Sequence, residues 1–223
     1  MTLPDTIRAS VAELEADRHP DADEDVHFTR ALARVLIEQL SRPGDIVLDP
    51  FAGFGTTLEC AAELGRVPVG VELLPERVAT IRARVPGAVV VEGDARGLRA
   101  LTDELALTPA TVGLVLTSPP YMTATDHPEN PLTAYETDDG DYRRYLDELV
   151  SIADHLRALL RPGGHLAVNV ADIEHAGHLT PLIADVAAAV GTVLEHVATI
   201  AVEWDRLPHD LVADAVVVFH RPV

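Results

Sequence analysis

Five consecutive residues, Thr117-Ser118-Pro119-Pro120-Tyr121, place a hydroxyl, a rigid carbonyl and an aromatic ring directly after the apolar run Val112-Gly113-Leu114-Val115-Leu116. A short apolar run reads as a buried strand, and the two prolines stop it abruptly. The polar and aromatic groups are then held at a strand's C-terminal end, where open α/β sheets place their ligands. Oxygen acceptors next to a ring suit a flat substrate that carries N–H groups. The tetrapeptide alone is equally a proline-terminated turn, so the rest of the chain decides between the two.

Upstream, Asp45-Ile46-Val47-Leu48-Asp49-Pro50-Phe51-Ala52-Gly53-Phe54-Gly55-Thr56-Thr57 reads as a buried strand followed by a glycine turn. Gly53 and Gly55 allow a tight turn and a close approach of backbone to ligand. Thr56 is placed to cap the helix that continues through Leu58, Ala61, Ala62 and Leu64. A phosphate-binding loop would carry lysine where Thr56 stands, and the dinucleotide fingerprint would carry a third glycine at Leu58. Two further strand-like segments end in acids. Residues 67–72 end in Glu72, whose two oxygens can accept from two neighbouring hydroxyls, and residues 89–94 end in Asp94.

These segments, in this order, resemble the amino methyltransferases, S-adenosylmethionine enzymes that methylate exocyclic amino groups of nucleobases. The 45–57 segment is similar to their motif I, and Ser118-Pro119-Pro120-Tyr121 to their motif IV in the form associated with the N4 of cytosine. The resemblance implies a three-layer, Rossmann-like class I α/β sheet of seven strands, mostly parallel and closed by a C-terminal antiparallel hairpin. It implies S-adenosyl-L-methionine as cofactor, with Asp49 beside the methionine ammonium, Glu72 on the ribose hydroxyls and Asp94 on the adenine amino group. The Ala95 amide would face a ring nitrogen, and Phe51 and Leu73 would supply apolar walls, alongside Gly53, Gly55 and Thr56 of the turn. The segment that carries Phe28, Leu32, Val35, Leu36 and Leu40 resembles motif X in its place, with Thr29 as the contact to the methionine end. Ser118, Pro119 and Tyr121 would be the catalytic set: the hydroxyl and the carbonyl accept the two amine N–H groups, and the ring stacks on the base.

The implied reaction is N-methylation of a nucleobase, in nucleic acid of the DNA N4-cytosine type. Methylation of a small amino metabolite or nucleoside is the alternative, as is the N2 of guanine in transfer RNA, where related enzymes carry an Asp/Asn-Pro-Pro-Tyr motif. Two features bear on the choice. The net charge of -19, from 36 acidic and 17 basic residues, sets the chain as a whole against a polyanion. DNA amino methyltransferases usually carry a sizeable target-recognition region, for which only residues 122–140 are available here. Every basic residue is arginine, which rules out lysine chemistry such as Schiff bases.

The elements that position these groups are expected from periodicity. Residues 5–17 carry Ile7, Val11 and Leu14 at helical spacing, and a second helix carries Phe28, Leu32, Val35, Leu36 and Leu40. Residues 1–41 thus read as a helical lead on a single 42–223 domain. A helix over 142–159 ends at Pro162-Gly163-Gly164, followed by a strand over 165–170, a helix over 179–190 and strands near 193–204 and 215–220. The single Cys60 allows no internal disulfide or thiolate cluster, and Asp172, His175 and His178 lack a fourth ligand, so no metal is expected. Hydrophobic content of 48% is spread without a long apolar run or a signal-peptide pattern, so the expectation is a cytoplasmic protein free of membrane.

Overall fold

A computed structural model describes residues 3–20, 29–120, 142–175, 177–208 and 211–223. In chain order the strands are β1 (Thr6–Ala9), β2 (Ile46–Asp49), β3 (Val67–Glu72), β4 (Val89–Glu92), β5 (Val112–Thr117), β6 (Leu160–His175), β7 (His178–Thr180), β8 (Glu195–Trp204) and β9 (Leu211–His220). The helices are α1 (Val11–Asp17), α2 (Arg30–Leu40), α3 (Thr56–Glu63), α4 (Pro75–Arg84), α5 (Leu98–Leu101), α6 (Tyr142–Leu159) and α7 (Leu182–Val190), with a 3-10 turn at Ala95–Gly97. The strands form one sheet in the order β1-β8-β9-β6-β5-β2-β3-β4, with β7 paired to β6. Pairing is parallel from β6 through β5, β2, β3 and β4, and antiparallel between β6 and β9, β8 and β9, and β6 and β7.

The α/β class and the closing hairpin match expectation, but among the described residues the sheet has nine strands where seven were expected. The helical spacing of Ile7, Val11 and Leu14 is coincidental. In β1 the buried residues alternate, Ile7 and Ala9 facing in, and the strand pairs parallel with β8. Ser10 ends it and opens α1 with a capping box: its hydroxyl accepts from the Glu13 amide while the Glu13 carboxylate accepts from the Ser10 amide. The second extra strand, β7, occupies residues read as the start of a helix, so that α7 begins three residues later, at Leu182.

Each face of the sheet buries one helical layer. On one side Leu32, Leu36, Ile37 and Leu40 of α2 pack on Val47, Leu114, Leu116, Ala167 and Val216. On the other, Tyr145, Leu149, Ile152 and Leu156 of α6 and Val186 of α7 pack on Leu48, Val115, Leu166 and Val168. Alternate residues of β5 serve the two cores, which is why its whole length is apolar. Each fully buried large side chain contributes about 1.5–3 kcal/mol. The sheet is therefore a rigid floor for whatever sits at the strand ends. Among the described residues no helix is long and apolar enough to cross a membrane.

Candidate active site

From β2 the sheet extends to β3 on one side and to β5 on the other, so their connections diverge and leave a crevice at the strands' C-terminal ends. Asp49 ends β2 there, 4% exposed. Its Oδ1 accepts from the Thr117 hydroxyl at 2.7 Å and from the Phe51 amide at 3.0 Å, and the Thr57 hydroxyl of α3 donates to it as well. Burial pushes the Asp49 carboxyl up to about 6, against the pull of those three bonds. Glu72 ends β3, 7% exposed, and accepts from the Gly53 amide at 2.7 Å and the Leu74 amide at 3.0 Å. Burial raises its pKa too; the Leu74 and Gly53 amides and Arg77 work against the rise, and Asp49 adds to it.

The glycine turn lies between these acids. Gly53 and Gly55 have φ of +54° and +88°, and the Ala52 amide donates to the Val71 carbonyl at 2.9 Å, fastening the turn to β3. Gly55, and not Thr56, is the N-cap of α3: the left-handed backbone occupies the cap position, and Thr56 becomes the first helical residue without a side-chain cap bond. Phe54 at the tip stacks on the His19 ring, with centroids 4.5 Å apart and planes 12° apart, while the Arg77 guanidinium lies 4.6 Å from its centroid. The segment after α1 is thereby joined to the turn.

The remaining expected residues fall around this centre. Ser118 is half-buried and Pro119 buried, directly after β5. Pro119, Thr117, Pro50 and Phe51 line one small apolar cleft with Leu149 and Ile152 of α6, which brings the segment after β5 against the start of the glycine turn. Leu73 is half-buried, and Ala95 is buried at the head of the 3-10 turn. Asp94 is less open than a free adenine acceptor would be: it receives the Arg96 amide at 2.8 Å and the Arg96 guanidinium on both oxygens, and Arg96 also lies 3.6 Å from Glu148. Thr29 is buried and spends its hydroxyl capping α2 at the Leu32 amide. Tyr121 and residues 122–140 lie outside the described residues.

Thr117 and Thr57 were given no role in the sequence. Thr117 reads there as the first residue of the pentapeptide after an apolar run, and nothing local signals that its hydroxyl meets a carboxylate 68 residues away. A third buried carboxylate was likewise invisible. Asp214 of β9 accepts from Asn169 at 2.7 Å and from the Trp204 indole at 2.8 Å, and burial pushes it up to about 6. Asp172 uses its carboxylate on the Ile183 amide in the first turn of α7, and the side chains of His175 and His178 lie outside the described set.

Comparison with known proteins agrees with this geometry. Residues 12–83 match the N6/N4 family model described as DNA methylase. The type II methyltransferase M.SmaI of Serratia marcescens is 40% identical over 78 residues, 35% of this chain and 26% of that protein. YubD of Escherichia coli, named as a methylase, is 51% identical over 41 residues, 18% of each. The chain therefore spans about a quarter or less of the length of these relatives. A TehB-like S-adenosylmethionine-dependent methyltransferase from Corynebacterium glutamicum superposes with a TM-score of 0.55 at 15% identity, over 85% of this chain and 86% of that one. The sheet thus has the fold of the class I methyltransferases, and residues 12–83 are similar to the N6/N4 family described as DNA methylase.

Proposed function

We propose that the protein is an S-adenosylmethionine-dependent N-methyltransferase acting on an exocyclic amino group of a nucleobase, with nucleic acid as the first choice of substrate. The observation that carries this reading is the convergence of two buried acids, Asp49 and Glu72, on the glycine turn beside Ser118 and Pro119. The partners of Asp49 among the described residues are two hydroxyls and an amide, with no cation. That donor set fits a ligand bearing its own positive charge and vicinal hydroxyls. Asp49 would hold the methionine ammonium and Glu72 the ribose hydroxyls, with Phe51 and Leu73 as walls, Asp94 and Ala95 at the adenine edge and Thr29 near the methionine end.

The bound cofactor supplies a methyl group already activated as a sulfonium, so the chain needs only to orient the acceptor. An exocyclic amine is a poor nucleophile while its lone pair is delocalised into the ring. The Ser118 hydroxyl and the Pro119 carbonyl accept its two N–H groups and favour the pyramidal nitrogen, and Tyr121 stacks on the base. This is positioning and electrostatic preorganisation without a covalent intermediate. The Ser-Pro-Pro-Tyr segment supports the cytosine-N4 type, and a cytoplasmic location suits such an enzyme.

Calorimetric titration should detect S-adenosylmethionine binding by the wild type, weakened in Glu72→Ala by about 5- to 150-fold, from two hydrogen bonds of about 0.5–1.5 kcal/mol each. Ser118→Ala should keep that affinity and slow transfer at least about tenfold. No heat with folded wild type removes the assignment.

The charge of -19 favours a second reading, a free nucleoside or similar small amine. Arg144, at the head of α6, is already paired with Glu148 at 3.0 Å, which weakens a basic rim there. Tritiated methyl transfer to duplex DNA, single-stranded DNA, transfer RNA and nucleosides at increasing salt separates the readings. Each neutralised phosphate adds about 0.7–0.9 to the logarithmic salt slope, whereas a small neutral substrate gives almost none.

A further inference from the structure

We propose that Thr117 is a positioning residue that ties the substrate segment to the cofactor site: its hydroxyl, held by Asp49, fixes where Ser118 stands relative to the ligand on β2. This inference rests on the function proposed above and gives a role in that site to a residue outside the Ser118-Pro119-Pro120-Tyr121 tetrapeptide.

The geometry isolates the link. Thr117 is the last residue of β5 and Ser118 the first beyond it, so the only freedom between the Thr117 side chain and the proposed catalytic hydroxyl is one peptide unit. On the β6 side Thr117 is held by ladder pairing with Val168. On the β2 side the ladder between β2 and β5 runs only as far as Leu48 and Val115 and shifts register between Ile46 and Val47. At the crevice itself the two strands are therefore joined through side chains, and the Thr117–Asp49 bond of 2.7 Å, buried from water, is the observed connection. Threonine is 2% exposed here, so its hydroxyl has no water to fall back on.

The same bond acts on the other partner. Burial opposes the ionised form of Asp49, while Thr117, Thr57 from α3 and the Phe51 amide favour it; on the β3 side, Asp49 raises the pKa of Glu72 and Arg77 lowers it. An ionised Asp49 is the form that attracts an ammonium group. Cofactor affinity should then fall as pH is lowered through the range near 6 where Asp49 takes up a proton in the free protein. Loss of the Thr117 bond raises the proton affinity of Asp49, so that fall should begin at a higher pH.

Two pairs of variants separate the hydroxyl from packing. Thr117→Val keeps the shape and removes the hydroxyl; Thr117→Ser and Thr117→Ala both lack the methyl group and differ only in the hydroxyl. Turnover at saturating cofactor and pH 8 should drop at least about tenfold in the Val and Ala variants and return to within about threefold of wild type in Ser. The midpoint of calorimetric cofactor affinity against pH, and the Asp49 side-chain carbon titration followed by NMR in cofactor-free protein, should both move upward in Val and Ala and not in Ser. A purely structural threonine would lower melting temperature without moving either midpoint. Equal turnover in the Ser and Ala variants, or midpoints unmoved by removing the hydroxyl, overturns the role. Wild type that binds no cofactor overturns the functional reading, and this role with it.

Discussion

Gly55→Val should lower unfolding stability by about 2–5 kcal/mol and remove measurable cofactor binding. The residue sits at φ +88°, where a side chain costs about 1–2 kcal/mol and a β-branched one more. A Cβ built there meets Ile81 Cγ1 at 2.9 Å and Cγ2 at 3.3 Å. Ile81 is fully buried in α4 against Ala52, Leu58, Val78 and Val90, so it has no space to yield, and overpacking of this kind typically costs about 1–3 kcal/mol. The strain falls on the turn that carries the Gly53 amide to Glu72. Urea titration of wild type and variant measures the first effect, and calorimetry of whatever fraction remains folded measures the second. A variant with wild-type stability and affinity would mean that the turn adopts another conformation in solution.

Raising the pH from 4.5 to 7.5 in the absence of cofactor should lower the unfolding free energy by about 4 kcal/mol. Asp49 and Asp214 both have folded pKa values near 6, against an ordinary 3.8, chiefly because burial penalises their charged forms. Between those values the folded state binds more protons than the unfolded state, so stability is greatest at the acid end and is lost as pH rises through about 6. Each contributes about 2 kcal/mol over this interval, at about 1.4 kcal/mol per pH unit. The net charge of -19 acts in the same direction, because ionisation adds to self-repulsion. Urea midpoints across the interval test this. Stability that stays level or increases with pH would show that the two carboxyls ionise without cost. Saturating S-adenosylmethionine should reduce the loss, since an ammonium beside Asp49 offsets its charge.

Much of this arrangement is legible in the sequence because it depends on local grammar. The strand ends at Asp49, Glu72 and Thr117 and the glycines of the turn announce themselves through apolar runs interrupted by glycine, proline or acid. The helix over 142–159 follows from one uninterrupted apolar stripe. What escaped notice is either short or long-range. β1 has four residues, too few to separate a period of 2 from the 3.6 spacing that Ile7, Val11 and Leu14 imitate, although Ser10 and Glu13 already mark the true helix start. Thr117 to Asp49, Asn169 to Asp214 and Trp204 to Asp214 are contacts between strands, decided by register and not by composition. Asp94 shows the reverse case: its position follows from the strand pattern, whereas its capture by Arg96, two residues on, depends on the tight turn at Ala95.

The parallel pairing of β1 with β8 also sets an order of assembly. Thr6 pairs with Ala201, and the Val11 amide donates to Asp205, 194 residues away. β1 thus has no strand partner until β8 has been made. Until then, of the elements that share their core cluster, Ile7 and Ala9 have α2 before them and the β8 side open. Contacts of such sequence separation are slow to close. Completion of this sheet therefore waits on β8, and a pause in synthesis before that strand would alter folding yield more than it would alter the finished protein.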